Sequence, residues 1–456
     1  MQCVMTGWSI SLLFSAFALS TFASSTLHAM EYVEICNREN SCKKFSRLIM
    51  GTDHLKQSDW TYDGEPEKND EEVYKILDES ARLGINLFDT APIYVGSVEN
   101  RLGRWRASRR DLVLKNNFYA SADLNPDRKL YALSKGGFPF DLYYAKHLAP
   151  GTHSERLQEE LQRLGVLTSP TTSLNNVPPG TYASRLYGSG EQIKQRVLEE
   201  ITNSSSQLNE DITIYLMHRD DGDFVGFQPL EREQTPVRNL MEALSAPEIS
   251  GKYWMLGWSN WKTDRVNESI DLAGENPALA KPAFNSPYFS LFEMSSRSIH
   301  AGGIQVTHQE MMDPNFQKGI KLSPYSPLGG FSILDKPEPR WENTKKAAKK
   351  KYDEGDAYWQ NVFRAIFTKA NEARWKRVVK FTGEFNAKHG TTYTIDQMIN
   401  AYALAHPRTD FLTVGPITLE QLRRTVGSLK LARMLTPKDL EYLYSGVPSS
   451  SSEWTE

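Results

Sequence analysis

The stretch Gly84 to Tyr94, GINLFDTAPIY, followed by SVENRLG from Ser97 to Gly103, constrains this chain most. Ile85, Leu87 and Phe88 form a short apolar run after a helix-ending Gly84, which suits a parallel strand buried on both faces. Asp89 closes the run and Tyr94 lies in the loop beyond it. A carboxylate at the carboxyl end of such a strand, with a phenol in the next loop, stands where α/β barrels keep their chemistry. A capping Asp beside a core Tyr is the plainer alternative. The company of the strand and the Glu-x-x-Leu-Gly of Glu99 to Gly103 speaks against it.

With 456 residues there is room for a barrel of about 250 residues and large insertions. A net charge of −3 provides no overall basic field for nucleic acid or a membrane surface, so an anionic ligand must be held by local groups. Three cysteines exclude a disulfide scaffold. Trp8 to Ala23 is apolar but too short and Ser-rich for a comfortable membrane span, and no span is expected. Two readings of residues 1–29 stay open. They form either a signal peptide with small residues at Ala16 to Ala18 and Ala23 to Ser25, or an upstream extension before Met30, since no Lys or Arg precedes Arg38. The second, cytoplasmic reading is preferred; the first makes the protein exported.

The rest of the chain alternates strand and helix. Tyr32 to Ile35 and Phe45 to Met50 flank the polar turn Asn37 to Ser41 and predict a hairpin, with Cys36 and Cys42 placed to pair across it in an oxidising compartment. Helical spacing marks Glu71 to Leu83, Gly190 to Asn203 and Tyr393 to Leu404, and further helices are expected around Glu99 to Trp105 and Leu240 to Leu244. Strands are expected at Leu48 to Met50, Ile212 to Met217 and Phe411 to Val414. Tyr253 to Trp261, Pro282 to Tyr288 and Lys321 to Gly330 should each hold a strand and its loop. Two insertions interrupt this order, about 140–180, rich in Pro, Gly, Ser and Tyr, and about 335–389, with the basic run Lys345 to Lys351. That run reads as a solvated helix face. Residues 30–447 therefore form one (β/α)8 barrel of the α/β class, and the Ser-rich residues 448–456 form a disordered tail.

INLFDTAPIY with E..LG, YLMHRDD at Tyr215 to Asp221, GWSN at Gly257 to Asn260 and YSPLGG at Tyr325 to Gly330 resemble the aldo-keto reductase family over nearly all of residues 30–445. The resemblance implies a tetrad of Asp89, Tyr94, Lys135 and His218. Lys115 competes for the lysine position. Only about 20 residues separate it from Tyr94, scarcely enough for a helix, a turn and a strand, and the SKGG of Ser134 to Gly137 suits the family's ending, so Lys135 is preferred. For the cofactor, the resemblance places Thr52 beside the nicotinamide ribose and counts Asp89 among the cofactor-binding residues. Ser259, Asn260 and Ser286 fall on the carboxamide, although Ser286 stands where the family more often has Gln. Tyr325 falls on the nicotinamide ring, Ser326 and Leu328 on the pyrophosphate, and Gly415, Thr418, Gln421 and Arg424 on the adenosine half. NADP(H) is expected over NAD(H), which the missing Glu-Asn pair near Arg424 and Thr425 leaves open. No metal is implied, and the lack of a G-x-G-x-x-G fingerprint agrees with a barrel.

The implied reaction is reduction of a small aldehyde or ketone, with Tyr94 as acid, Lys135 lowering its pKa, Asp89 holding Lys135, and His218 orienting the carbonyl. The rival is a non-catalytic cofactor-binding subunit, as the β subunits of some potassium channels resemble this family.

Overall fold

The computed structural model describes residues 30–447 apart from 56–68, 95–97, 139, 142–157, 160–161, 163–181, 184–189, 221–234, 296–303, 315, 318, 330–338 and 356. The expectations for 1–29, for most of 140–180 and for the tail fall outside the described residues. No described helix is long and apolar enough to cross a membrane.

The chain opens with the antiparallel hairpin β1 (Tyr32–Cys36) and β2 (Cys42–Ser46), where Cys36 faces Cys42 and is disulfide-bonded to it. The single run expected from Phe45 to Met50 is two strands. Arg47 breaks it, its N–H donating to the Glu31 carbonyl (2.8 Å), and β3 (Leu48–Gly51) starts the main sheet. Next come α1 (Asp70–Arg82), β4 (Leu87–Asp89), α2 (Val98–Arg109) and β5 (Tyr131–Gly136). Asn69 and Glu72 form the capping box that starts α1, and Val73, Ile76, Leu77 and Ala81 bury its apolar stripe. Gly84, at a positive φ of 97°, makes the turn into β4 while its carbonyl accepts from the Tyr32 hydroxyl (2.8 Å). Two-residue strands β6 (Phe140–Asp141) and β7 (Tyr182–Ala183) pair antiparallel at the two ends of the first insertion.

The barrel resumes with α3 (Gly190–Leu208), β8 (Ile212–Met217), α4 (Val237–Ser245), the short α5 (Pro247–Ser250), β9 (Tyr253–Ser259), α6 (Thr263–Glu275), β10 (Pro282–Ser286), α7 (His308–Met312) and β11 (Lys321–Leu322). The second insertion is helical: α8 (Pro339–Asp353), α9 (Ala357–Ile366) and α10 (Lys369–His389). After it come α11 (Ile395–Ala405), β12 (Leu412–Val414), α12 (Leu419–Ala432) and α13 (Pro437–Ser445). On α8, Lys349 pairs with Asp353 and Lys350 with Glu354, an exposed face with helical i,i+4 ion pairs.

Every neighbouring pair in the order β12-β3-β4-β5-β8-β9-β10-β11 is parallel. The two edges meet: the N–H groups of Phe411 and Thr413 donate to the carbonyls of Leu322 (2.9 Å) and Pro324 (2.8 Å), and Tyr325 bridges Thr413. Closure makes this a (β/α)8 barrel. One core lies between sheet and helices. A second fills the barrel with Ile49, Leu87, Leu133, Ile214, Leu216, Met255, Phe284 and Phe411, and Ile35 and Phe45 of the hairpin join it.

Candidate active site

Side chains alternate across a strand, so the inward row of each barrel strand, followed to its carboxyl end, names what faces the mouth. On β4 the interior Leu87 is followed two residues on by Asp89, on β5 Leu133 by Lys135, and on β8 Leu216 by His218. The same count leads from Phe284 to Ser286 on β10 and, through Gly257, from Met255 to Ser259 on β9. The apolar core and the polar site are two ends of the same rows.

Lys135 Nζ donates to Asp89 Oδ1 (2.6 Å), to the Thr90 carbonyl (3.1 Å) and to the Tyr94 hydroxyl (2.9 Å). Tyr94 in turn reaches Asp89 Oδ1 at 3.3 Å, and its ring meets the His218 imidazole edge-on, centroids 6.0 Å apart. The four tetrad residues thus converge. Lys115 does not join them, being exposed at the start of a 3-10 turn over Asn116–Phe118.

Burial dominates the electrostatics. It pushes the Asp89 carboxyl up against the opposing pull of Lys135. The Tyr94 phenol is also driven well above its ordinary value, by burial first and then by the carboxylates of Asp89 and Asp53. That differs from the expected lowering by Lys135: the ammonium donates to the phenol oxygen, but burial and two carboxylates outweigh it. Burial, then Lys135 and Arg219, hold His218 well below the usual imidazole range. The site therefore presents a neutral phenol and a neutral imidazole at ordinary pH, a proton donor beside a hydrogen-bonding ring.

Next to this cluster, Ser259 Oγ donates to the Ser286 carbonyl (2.9 Å) and accepts from Asn260 Nδ2 (3.1 Å), which also reaches the His218 carbonyl (3.2 Å). Asn260 Oδ1 accepts from the Tyr325 hydroxyl (2.7 Å) and the Ile304 N–H (3.1 Å). Asn260 sits at a positive φ of 56°, a conformation Asn tolerates better than most side chains. Hydroxyl, amide and phenol ring are the group types a primary carboxamide on an aromatic ring would need, and here they bond one another and the backbone. Thr52 donates to the Asp89 carbonyl (2.8 Å), placing it at the same rim.

Further round, Ser326 (φ 52°) begins a turn in which its carbonyl accepts from the Gly329 N–H (2.9 Å), with Leu328 half-buried between them. A Cβ on Gly415 would lie 2.9 Å from the His54 ring, so only glycine allows that contact. Thr418 caps α12 by accepting from the Gln421 N–H (3.1 Å), and Gln421 Oε1 accepts from Ile417 N–H (2.9 Å). Arg424 is bound to Asp396 (3.1 Å) and Glu420 (3.2 Å), so its charge is already met.

Sequence reasoning used Glu99 only as part of a motif and gave no role to several residues that support the site. Glu99 accepts from Ser134 (2.6 Å) and Ser204 (3.2 Å), tying α2 and α3 to β5 beside Lys135. Glu200 accepts from the Gly137 N–H (2.7 Å) where the chain leaves β5. Phe138 and Arg219 stand against His218. The inward-row count would have pointed to the neighbourhood but not to these partners, which come from helices and loops.

The model of the aldo/keto reductase family matches residues 47–166 and 188–445. No curated protein matches the chain.

Proposed function

Because the chain belongs to the aldo/keto reductase family, a family of oxidoreductases, we propose that it reduces an aldehyde or ketone to the alcohol with NADP(H). The observation that carries this reading is the Tyr94 hydroxyl held by Lys135 at 2.9 Å and by Asp89 at 3.3 Å, with His218 facing the ring.

When bound, the nicotinamide supplies the hydride that the carbonyl carbon accepts. Ser259 and Asn260 would hold its carboxamide and Tyr325 would take the ring, which would fix the face presented to substrate. His218, neutral because burial and two cations disfavour its charged form, donates an N–H to the carbonyl oxygen and orients it. Tyr94 transfers its proton to the oxygen as negative charge develops there. Lys135 already donates to the phenol oxygen, so it stabilises the phenolate left behind, and Asp89 keeps the ammonium in place. The phenol's raised pKa keeps the donor loaded over the whole working range.

Fluorescence titration of the purified chain with NADPH and with NADH, then turnover on a panel of aldehydes and ketones, tests this. Saturable binding with carbonyl turnover supports it. Binding without turnover on any carbonyl would make the protein a cofactor-binding subunit, and no binding would end the reading.

A further inference from the structure

Phe138 follows Gly137, whose positive φ of 70° turns the chain out of β5 and whose N–H is fixed by Glu200 (2.7 Å). This delivers the Phe138 ring to the His218 imidazole, centroids 4.8 Å apart at 70°, and the Arg219 guanidinium lies over the same phenyl ring at 4.4 Å. The backbone around His218 is itself tied on both sides. The His218 N–H donates to the Gly136 carbonyl (2.7 Å) and the Asp220 N–H to the Asn260 carbonyl (3.0 Å). Backbone ties fix where the imidazole starts but leave its ring free to turn about its side-chain torsions. A buried ring between Tyr94 and Phe138 is not free to turn, and Phe138 is itself held by a planar cation.

We propose that Phe138 and Arg219 are positioning residues for His218: the guanidinium pins the phenyl ring, and the phenyl ring sets the plane of the imidazole against the substrate carbonyl. This rests on the reductase reading above. Among the described residues, the groups facing His218 are Tyr94 from the loop after β4, Lys135 and Phe138 from β5 and its exit, the Asn260 amide after β9, and Arg219 on its own segment. Two of these are cations, and Lys135 already has Asp89 as counter-charge. Arg219 therefore acts in two separable ways, by its plane on Phe138 and by its charge on the imidazole.

Four variants of the full chain separate these: Phe138→Leu, Phe138→Tyr, Arg219→Met and Arg219→Lys. Steady-state kinetics, thermal melts and NMR of labelled histidine are the readouts, with the His218 signal assigned by its loss in His218→Gln. Phe138→Leu is expected to lower kcat by roughly tenfold to a hundredfold, the scale of a small misplacement at a reacting centre, with KM and NADPH affinity changed far less. Phe138→Tyr, which keeps the ring, restores most of it. Arg219→Met is expected to lower kcat similarly and to move the His218 titration up toward the ordinary imidazole range, while Arg219→Lys keeps the titration where it is in the unaltered protein. Lower melting temperatures with unchanged kcat and pH profile would reduce both residues to a structural role and overturn the proposal. If the unaltered protein turns over no carbonyl, the reductase reading fails by itself. The NMR then still decides through the contacts between rings: His218-to-Tyr94 cross-relaxation unchanged in Phe138→Leu refutes positioning, and contacts altered in Phe138→Leu and restored in Phe138→Tyr uphold it.

Discussion

Lys135→Met is the perturbation whose size follows most directly from the structure. The Lys135 ammonium and the Asp89 carboxylate meet at 2.6 Å with side chains 4% and 5% exposed. Removing one partner of such a pair leaves a buried charge without compensation, which costs about 3–5 kcal/mol. Asp89 has an escape, because burial already raises its carboxyl and loss of the cation raises it further, so the variant can take up a proton. A carboxyl whose folded pKa lies above its unfolded value contributes stability below the unfolded pKa and loses it as pH rises through the folded one. Relative to the unaltered protein, Lys135→Met should thus be least impaired near pH 4. Its relative loss should begin only above the raised pKa that Asp89 already has in the unaltered protein, and run at up to about 1.4 kcal/mol per pH unit while the variant's Asp89 stays protonated. Urea unfolding between pH 4 and 8 reads this slope, and Asp89→Asn/Lys135→Met should flatten it. Lys115→Met, at an exposed position, should stay within about 0.5 kcal/mol and keep its turnover. A Lys135→Met penalty that ignores pH, or one matched by Lys115→Met, would refute the reasoning.

Tyr94→Phe should lower carbonyl turnover by about 10²–10⁴-fold with NADPH affinity by fluorescence nearly unchanged, since only the proton donor is lost; turnover equal to the unaltered protein sinks the acid assignment. In the unaltered protein the rate of reduction should hold until above pH 10 before falling, because the phenol must stay protonated and its pKa is raised, and its acid limb should lie below the usual imidazole value of about 6.5 because His218 is depressed; an alkaline limb near pH 7 contradicts the first and an acid limb there the second. Tyr325→Ala should weaken NADPH binding by roughly 1–3 kcal/mol through loss of a half-buried ring and of the phenol that steadies Asn260, and unchanged affinity in titration excludes that role. Cys36→Ser should cost about 2 kcal/mol, the entropy of a loop closed over a separation of six residues, read in chemical denaturation. Mass spectrometry of the protein from its source tells the compartment: an intact disulfide with cleavage between Ala18 and Ala29 marks export, while Met1 or Met30 with free thiols marks the cytosol.

The strand-end residues were legible because barrel strands are short and continuous in sequence: an apolar run such as Ile212 to Met217 announces itself, and His218 is simply the next residue. Choosing Lys135 over Lys115 rested on the chain length after Tyr94 and on the SKGG of Ser134 to Gly137, and Lys135 Nζ lies 2.9 Å from the Tyr94 hydroxyl. Helices α5, α6, α7, α12 and α13 escaped the reading, as did the split of β2 from β3 at Arg47, because propensity is a weak signal where one backbone hydrogen bond decides. The sign of the Tyr94 shift was not legible at all. Sequence shows which charges exist, and only three-dimensional burial says that desolvation and Asp53 outweigh an ammonium in hydrogen-bond contact.

Tyr325 shows how far the site depends on parts of the chain distant from it. Its backbone bridges Thr413 and so closes the barrel, its hydroxyl steadies Asn260, and its ring packs edge-on against Tyr288 at 6.0 Å. Tyr288 belongs to a small apolar cluster with Met294, Ala365 and Ile366, so the helical insertion reaches this ring through direct contact. The insertion is tied at the same place by Ser295 N–H to the Ala365 carbonyl (2.9 Å) and by Asn371 Nδ2 to the Glu293 carbonyl (2.7 Å). Close-packed neighbours transmit displacement rather than absorb it. A loss of packing at Ala365 or Ile366 therefore reaches Tyr325 before it reaches Lys135 or Tyr94, whose supports, Glu99 and Glu200, come from α2 and α3 on other strands' helices.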